Sequence, residues 1–484
     1  MVSTWVADEM STVDLKDRRL KKRLKEVLSQ LGGQPTAGIP TACGGHAEMT
    51  AAYRLFDNPK ATFGRILTPH GEATRRRMAE EPVALLVQDT TEVDLTRPSQ
   101  QVVGAGPLDR GARRGALLHV LHAFTPDGTP LGTVDAVVWA RQEGVRSRSL
   151  TRGERARMPI EEKESHRWVE MMRRAGEEAG QCPETRLVCL ADSEGDIYEV
   201  LAEGAAGERG VEWIVRAGQD RAVQGERGKA PVGRRVREQV LAQPVLFRQK
   251  IRVRGRTAKV QCETRGRRQP RRSREAEVEV RATRVTLRPP WRAERRLPAV
   301  TVNVVLVRET GPPADDKAVE WQLLTSLPIE EIDQVRQVIQ YYCVRWMIEV
   351  FFRVLKSGCR VEKRRFEHLD RLLPCLAVYL IVAWRTLFVC RVGRSCPEIS
   401  CEAVFEPAEW KAVWQVVHRT APPRTPPSLD EMVRLVAQLG GYVNRRGAGP
   451  PGPQTVWIGL QRTYDFALGW RLFGPEAQKG PRHV

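Results

Sequence analysis

The sequence of 484 residues predicts an α/β protein whose sheet-forming core is interrupted by an antiparallel β insertion and flanked by helical segments. Three observations support this class. Apolar runs such as Val83–Val87 and Arg186–Leu190 alternate with helical patterns, as buried strands do in α/β folds. Apolar and basic residues alternate strictly in Lys250–Arg254, which indicates a half-exposed strand. Residues 1–75 and 372–484 instead carry apolar side chains at helical spacing.

The chain is strongly basic, with 78 Lys and Arg residues against 59 Asp and Glu, a formal charge of +19 and a pI near 9.9. Such a balance favours a polyanionic partner, and nucleic acid is the first candidate. An anionic membrane surface is the competing partner. No signal-peptide pattern opens the sequence, and the longest apolar run, Leu372–Trp384, falls short of the roughly 18 residues that a membrane span needs. We therefore expect no membrane association, a buried helix at Leu372, and a cytoplasmic protein.

The cysteine and histidine patterns do not predict a zinc site. Ten cysteines occur at irregular intervals without a CxxC motif, and the eight histidines form no ligand cluster beside them. Free, reduced thiols in a cytosolic protein are the simplest account.

The N-terminal part predicts two helices. Leu20, Leu24, Val27, Leu28 and Leu31 lie at helical spacing before Gly32-Gly33, and a second helix covers His46–Phe56. Basic residues surround the first of these helices, including Arg18 and Arg19 at its start. They form either a duplex-binding surface or a solvated helix face, and charge alone does not decide between the two.

Two predicted strands of the core each end next to an aspartate. Val83–Val87 ends in Gln88-Asp89, and Arg186–Leu190 ends in Ala191-Asp192. Between and after them we expect the strands Gly115–Phe124 and Thr129–Ala140, a helix over Glu161–Arg173, a helix from Ile197, and the strand Trp213–Arg216. An isolated aspartate at the end of a strand is usually a cap or a turn former. Two such acids and a third on a helix could instead hold two divalent cations.

The third acid lies in a predicted helix, Tyr341–Lys363, that follows the Arg-rich insertion and the strand Trp321–Thr325. In a continuous α-helix, Tyr342, Arg345, Glu349 and Lys356 fall within an arc of roughly 60°. An ordinary ion pair between Arg345 and Glu349 would explain part of this stripe. A carboxylate between a phenol and two cations also suits a metal ion beside a phosphate.

The C-terminal part predicts three helices. An apolar helix starts at Leu372, a second follows the capping pattern of Ser428 and Glu431, and a last one runs through Trp470. Their apolar faces fit either an oligomer interface or ordinary packing within the chain.

These motifs resemble those of the DDE cut-and-paste transposases of insertion-sequence family four, the Tn-five-like group. Tyr342, Arg345, Glu349 and Lys356 match that family's Y-x2-R-x3-E-x6-K motif without a gap. Two further stretches resemble its aspartate motifs: LVQDTTEVDL, which contains Asp89, and LADSEGDIYEVL, which contains Asp192. AAYRLFDNPKATF is similar to the family's N-terminal domain, and ESHRW at residues 164–168 is similar to a further family block.

The resemblance implies an RNase H-like catalytic core in which Asp89, Asp192 and Glu349 are both the catalytic residues and the metal ligands. It further implies two Mg²⁺ per active site, for which Mn²⁺ can substitute. Tyr342, Arg345 and Lys356 would contact phosphates near the transposon end, and Arg216 would also contact DNA. Trp321 would stack on a flipped base, unless it is a buried core indole. Ser193 departs from the family, where Arg is frequent at this position, so the resemblance does not decide whether DNA is contacted there.

The implied function is a transposase that binds the inverted-repeat ends of an insertion sequence and cleaves them through a hairpin. It then joins the 3′ ends to target DNA. Its partners would be double-stranded DNA and a second copy of the chain in a synaptic complex, at the bacterial nucleoid in the cytoplasm. The rival is a catalytically silent descendant that binds DNA as a repressor. A ribonuclease or resolvase on the same core would not need the basic N-terminal helices or Trp321.

We expect five segments in the chain. They are an N-terminal DNA-binding domain at 1–75, the first part of the core at 76–216, a basic β insertion at 217–320, the catalytic-glutamate part at 321–371 and a helical dimerisation domain at 372–484.

Overall fold

The structure is a computed structural model that describes residues 2–109, 112–142, 151–206, 210–225, 234–253, 273–293, 296–314, 316, 318–445 and 447–475. The chain forms two compact units. The first unit combines residues 1–147 with 346–484, and the second contains residues 148–345.

The structure contains the following helices and strands. The helices are α1 (Thr4–Glu9), α2 (Arg18–Gly33), α3 (Ile39–Cys43), α4 (His46–Phe56), α5 (Phe63–Ala79), α6 (Arg152–Arg157), α7 (His166–Gln181), α8 (Tyr198–Ala205), α9 (Val236–Leu241), α10 (Ile332–Val344), α11 (Met347–Arg353), α12 (Leu369–Ser395), α13 (Pro407–His418), α14 (Leu429–Leu439) and α15 (Pro453–Phe473). The strands are β1 (Val83–Asp94), β2 (Gly106–Pro107), β3 (Arg114–Phe124), β4 (Pro130–Trp139), β5 (Arg186–Ala191), β6 (Glu212–Arg216), β7 (Phe247–Val253), β8 (Arg274–Leu287), β9 (Val300–Glu309) and β10 (Glu320–Thr325).

In the first unit, β3 pairs antiparallel with β1, β2 and β4. β1 is longer than the predicted strand Val83–Val87, because its pairing with β3 continues to Asp94 opposite Gly115. The residues after Gln88 include Thr90, Thr91 and Val93, whose β-branched side chains favour extended backbone. Asp89 therefore lies inside the strand and not at its end.

In the second unit, the strands follow the order β5-β6-β10-β9-β8-β7. β5 and β6 are parallel, and the remaining pairs are antiparallel, so the predicted antiparallel insertion is confirmed. The predicted strand Lys250–Arg254 lies in β7, and its last residue falls outside the described residues. The predicted α/β class with helical ends is also confirmed.

The predicted helix Glu161–Arg173 is wrong in its position. A short 3₁₀ turn covers Ile160–Glu162 after Pro159, and α7 begins only at His166. The buried stripe of α7 begins at Trp168 and extends to Glu178, so packing carries the helix beyond the predicted end.

The prediction of one continuous helix over Tyr341–Lys363 is also wrong. The i→i−4 pattern stops at Val344 and resumes at Met347, with Arg345 N bonded to Tyr342 O at 3.1 Å. A π-helical turn follows at Val354–Gly358, closed by a bond from Cys359 N to Val354 O at 2.8 Å. The 60° arc, which was calculated for an uninterrupted α-helix, therefore does not apply to this segment.

The core of the first unit is built around α12. By length and composition α12 is the one helix among the described residues that could cross a membrane, but 83% of its most apolar window is buried inside the protein. It packs against α5, β4, α14 and α15. Because α12 is buried on all sides, its apolar residues show no amphipathic pattern. The buried helix expected at Leu372 is therefore confirmed.

The N-terminal and C-terminal helices of the first unit pack against each other. A Cβ atom on Gly33 would lie 2.2 Å from the ring of Tyr464 on α15, so only glycine fits there. Nearby, Gln34 Nε2 donates to Asp465 Oδ1 at 3.1 Å, and the Arg385 guanidinium lies 5.6 Å from the ring centroid of Trp5. These contacts join parts of the sequence that are more than 370 residues apart into one body.

Two buried histidines lie beside α12 and β4. His70 Nδ1 donates to Glu9 Oε2 at 2.5 Å, while its Nε2 accepts from Thr133 N at 3.0 Å. His122 Nδ1 bonds to Thr133 Oγ1 at 3.0 Å, and its ring lies 4.4 Å from that of Phe351 on α11. Burial lowers the pKa of both imidazoles, that of His122 far below its ordinary value of 6.5, whereas the carboxylate of Glu9 opposes the decrease for His70.

We expect acid to destabilise the first unit through His122. The pKa of His122 is lower in the folded than in the unfolded chain, so only the unfolded state gains a proton as the pH falls through 6.5. The contribution of the neutral ring is complete above that pH. It declines below it, by up to about 1.4 kcal/mol per pH unit. Denaturant midpoints between pH 7.5 and 5 should fall more steeply for the wild type than for His122→Gln.

His46→Gln is the matched control, because His46 is exposed on α4. That variant should keep the wild-type slope. Parallel slopes for His122→Gln and the wild type would contradict the prediction.

Candidate active site and nucleic-acid interface

Asp89 occupies the middle of β1, opposite Val120 of β3, and is 6% exposed. His119 bonds to the two residues that flank it: its Nδ1 meets Thr90 Oγ1 at 2.7 Å and its Nε2 meets Gln88 Oε1 at 3.3 Å. Alternate residues of a strand face opposite sides, so His119 fixes the strand on one face while Asp89 faces the other. No local sequence pattern predicts this role for His119.

Asp192 follows β5 in the second unit and caps a 3₁₀ turn at Ser193–Gly195. Its Oδ1 accepts from Glu194 N at 2.7 Å. The capping role considered for a strand-terminal aspartate is therefore real. It occupies one carboxylate oxygen and does not conflict with metal binding by the other.

Tyr342 brings together several of the predicted residues of the second unit. Its phenol is 6% exposed, and burial raises its pKa above the ordinary value of 10.0. The guanidinium groups of Arg345 and Arg216 oppose this rise, Arg216 also through a hydrogen bond, whereas the carboxylate of Asp192 adds to it. The predicted phosphate contacts Tyr342, Arg345 and Arg216 thus share an electrostatic environment with the predicted metal ligand Asp192.

Trp321 joins the same cluster from β10. Its ring meets that of Tyr342 edge to face, with centroids 5.8 Å apart and planes at 64°. The indole is half-buried, so part of it remains available for stacking. Arg216 ends β6 on the neighbouring strand, where its NH2 donates to Glu320 O at 3.4 Å.

Glu349 and Lys356 belong to the first unit. Glu349 is exposed on α11, whose apolar side is buried through Ile348, Phe351 and Phe352. Lys356 lies on the π turn, with its Nζ 3.8 Å from Glu362 Oε1. The same Glu362 oxygen accepts from Asp94 N at 3.0 Å, which ties Lys356 to the end of β1.

The predicted residues are thus divided between the two units. The second unit unites Asp192, Arg216, Trp321, Tyr342 and Arg345, and the first contains Asp89, Glu349 and Lys356. Within the described ranges, no group of three or more His, Cys, Asp or Glu residues forms a metal-binding cluster. The donor set of Asp89, Asp192 and Glu349 is chemically suited to Mg²⁺ or Mn²⁺, which prefer carboxylate oxygens.

Arg18 and Arg19 are exposed in the first turn of α2, as a duplex-binding surface requires. Asp17 caps this helix by accepting from Arg19 N at 2.8 Å and Leu20 N at 3.2 Å. The cap fixes where the two guanidinium groups leave the helix.

The basic residues of β7 lie opposite acidic residues of β8. Arg248, Lys250 and Arg252 of β7 lie opposite Glu279, Glu277 and Glu275 of β8. Directly opposed charges of unlike sign compensate each other across a ladder. Residues 254–272, which contain eight Lys and Arg residues and one Glu, add further positive charge to this segment and lie outside the described residues.

Three comparisons with known families match most of the chain. The family described as Transposase DNA-binding matches residues 2–61, the Transposase DDE domain matches residues 164–374, and the Transposase Tn5 dimerisation domain matches residues 381–477. These matches support DNA binding and dimer formation by the protein.

Among solved structures, the chain is similar to a piggyBac transposase in a synaptic complex with hairpin DNA. The two share 9% sequence identity with a TM-score of 0.36, over 98% of this chain and 79% of that one. The three family matches all describe transposase domains and together cover most of the chain between residues 2 and 477. The chain therefore belongs to the Tn5-like DDE transposases of insertion-sequence family four and is a DNA transposase.

Proposed function

We propose that the protein binds the inverted-repeat ends of an insertion sequence, cleaves them with two divalent metal ions through a hairpin intermediate, and joins the 3′ ends to target DNA. One structural observation supports this proposal in addition to family membership. In the second unit, the carboxylate of Asp192 influences the same buried phenol as two arginines, and that phenol contacts Trp321. An acid, cations and an aromatic ring in one cluster suit a phosphodiester with an adjacent displaced base.

Asp89, Asp192 and Glu349 would hold the ions. Two bound Mg²⁺ or Mn²⁺ ions supply activation of a water or 3′-hydroxyl nucleophile and stabilisation of the leaving oxygen. Asp89 is held in a paired strand, which restricts its carboxylate to one side of β1.

The cationic residues would position the DNA backbone. Arg345, Arg216 and Lys356 supply the charge, and Tyr342 supplies a phenol that burial keeps protonated as a donor. Trp321 would stack on the base that leaves the duplex when the hairpin forms. Arg18 and Arg19 would bind the duplex at a second place through α2.

The dimer would form through an apolar surface of the C-terminal helices. A groove between α13 and α15 is lined by Val416, Phe466, Trp470 and Phe473, among others. Leu472 and Phe473 are 59% and 79% exposed there, which is unusual for large apolar side chains. A second copy that covered them would pair two DNA ends, with each subunit cutting the end that its partner binds. The complex would act at the bacterial nucleoid in the cytoplasm.

Glu349→Gln tests the proposal on DNA that carries the element's own ends. We expect the wild type to cleave these ends in Mg²⁺ and to bind without cleaving in Ca²⁺. The variant should retain end binding in a gel-shift assay while cleavage falls by about 10³-fold or more, because a neutral amide is a much weaker ligand for a divalent cation.

Arg353→Gln is the control, because Arg353 is exposed on the same helix and is not one of the proposed ligands. End binding without cleavage by the wild type in any divalent cation would favour the silent, repressor-like descendant. Unchanged cleavage by Glu349→Gln would remove Glu349 from the site.

A further inference from the structure

Asp196 is a buried acid next to the proposed site that none of the steps above uses. It lies four residues after Asp192 and is 4% exposed. Its Oδ2 accepts from Gly218 N at 2.8 Å and Gln219 N at 2.9 Å, and its Oδ1 accepts from Arg221 Nε at 2.9 Å and Arg221 NH2 at 2.6 Å. Both oxygens are thereby used within the protein, so Asp196 is not a candidate metal ligand.

These bonds hold the loop that follows β6. Ala217 N continues the sheet by donating to Gln322 O at 2.7 Å, and the next four residues close around Asp196. Arg221 is anchored further, because its NH2 also donates to Asp196 O at 2.7 Å and its guanidinium lies 5.7 Å from the ring centroid of Tyr198. The loop cannot move without breaking charged hydrogen bonds that are shielded from water.

The loop also lies directly against the turn that carries Asp192. A Cβ atom on Gly218 would be 2.8 Å from Ser193 O and 3.3 Å from Ser193 Cβ. No side chain fits between the two backbones, so the absence of a Cβ at Gly218 sets their separation. The left-handed region is not involved, since Gly218 is not among the glycines with positive φ.

The elements that Asp196 joins carry two residues of the proposed site. Arg216 is the last residue of β6, immediately before the loop, and its guanidinium opposes the rise that burial causes in the pKa of the Tyr342 phenol. Asp192 precedes Ser193 in the turn. The bonds of Asp196 therefore fix how far a phosphate-binding cation lies from a metal-binding carboxylate.

We propose that Asp196, with Arg221 and Gly218, is a positioning element that sets the distance between Asp192 and the Arg216–Tyr342 pair. This inference rests on the proposed function of Asp192 and Arg216. Disturbing it should leave end binding in place and slow cleavage, because a displacement of about 1 Å in an active site can cost on the order of 10²-fold in rate.

Asp196→Asn and Gly218→Ala test this from opposite sides in the full-length protein. Asp196→Asn removes the negative charge and places an amide NH₂ group, itself a donor, against the N–H donors of Gly218, Gln219 or Arg221. The second keeps every bond of Asp196 and adds only a methyl group toward Ser193. For each we expect end binding within about 2-fold of the wild type, single-turnover cleavage slower by about 10- to 100-fold, and a higher Mg²⁺ concentration for half-maximal cleavage.

The shift in Mg²⁺ dependence distinguishes a positioning role from a general loss of folded protein. A loss of folded protein would lower the amount of DNA cleaved, but it would not change the Mg²⁺ concentration for half-maximal cleavage. Asp220→Asn is the control: Asp220 Oδ1 accepts from Arg237 N at 3.0 Å from the same loop but does not contact Asp196. It should match the wild type in rate and in Mg²⁺ midpoint.

Asp192→Asn is measured in parallel. If it fails to cleave while Asp196→Asn and Gly218→Ala cleave normally at every Mg²⁺ concentration, the positioning role is excluded and the proposed function stands. If Asp192→Asn itself cleaves normally, the proposed function falls. Should Asp196→Asn not fold, as judged by circular dichroism, Gly218→Ala alone decides.

Discussion

Asp192→Asn should abolish cleavage of the element's ends while the protein still binds them. The expected loss in single-turnover rate is on the order of 10³-fold or more, comparable to the removal of a central catalytic group. The amide can still accept from Glu194 N, as Asp192 Oδ1 does at 2.7 Å, so the 3₁₀ turn should persist. Rates on labelled end DNA in Mg²⁺, with a gel-shift titration alongside, measure the two properties separately.

Glu194→Gln provides the comparison within the same turn. Glu194 is exposed two residues later, so the variant changes the local charge by the same amount without touching the proposed ligand. We expect its cleavage rate to stay within about 2-fold of the wild type, because an exposed charge contributes little through solvent. Equal losses of cleavage rate in both variants would mean that the total negative charge of the turn matters and that Asp192 is not a metal ligand.

Leu472→Glu combined with Phe473→Glu should prevent the pairing of two ends. The substitutions place two charges on the apolar surface beside the groove between α13 and α15, where burial in a dimer would leave them unpaired. We expect the paired-end complex to be reduced by at least about 100-fold, with single-end binding retained. Native gels and sedimentation velocity on end DNA distinguish the two complexes by size.

Val443→Glu is the matched control for this surface. Val443 is 60% exposed in the same C-terminal part, but it does not line the groove. Its variant should pair ends like the wild type. If the double variant also pairs ends normally, the dimer forms through another surface.

The sequence predicted the broad fold well because buried strands and amphipathic helices leave a local pattern. The antiparallel insertion and the buried helix α12 are visible as alternation and as an apolar run, respectively. The four residues from Tyr342 to Lys356 were identified by their spacing, which a family motif fixes independently of helix geometry.

Other features depend on contacts between distant residues and leave no local pattern. The break after Val344 and the π turn at Val354–Gly358 change hydrogen-bond partners without a Pro or an internal Gly-rich break to mark the interruption. The roles of Asp196 and Glu362 follow from loops and strands up to 268 residues away along the chain. In LADSEGDIYEVL, only the structure shows that Asp196 is fully bonded within the protein while Asp192 has one oxygen in a cap.

The π turn at Val354–Gly358 makes the chain between Glu349 and Lys356 sensitive to changes in length. A π turn contains one residue more than the α-helical turn it replaces, which corresponds to an insertion that the helix has absorbed. Loss of Val354 or Leu355 from this turn would be repaired by the backbone as an ordinary helix. The repair would rotate Lys356 away from Glu362, even if every remaining amino acid were unchanged. Homologous transposases should therefore differ in the identity of the residues between Glu349 and Lys356 far more often than in the number of these residues.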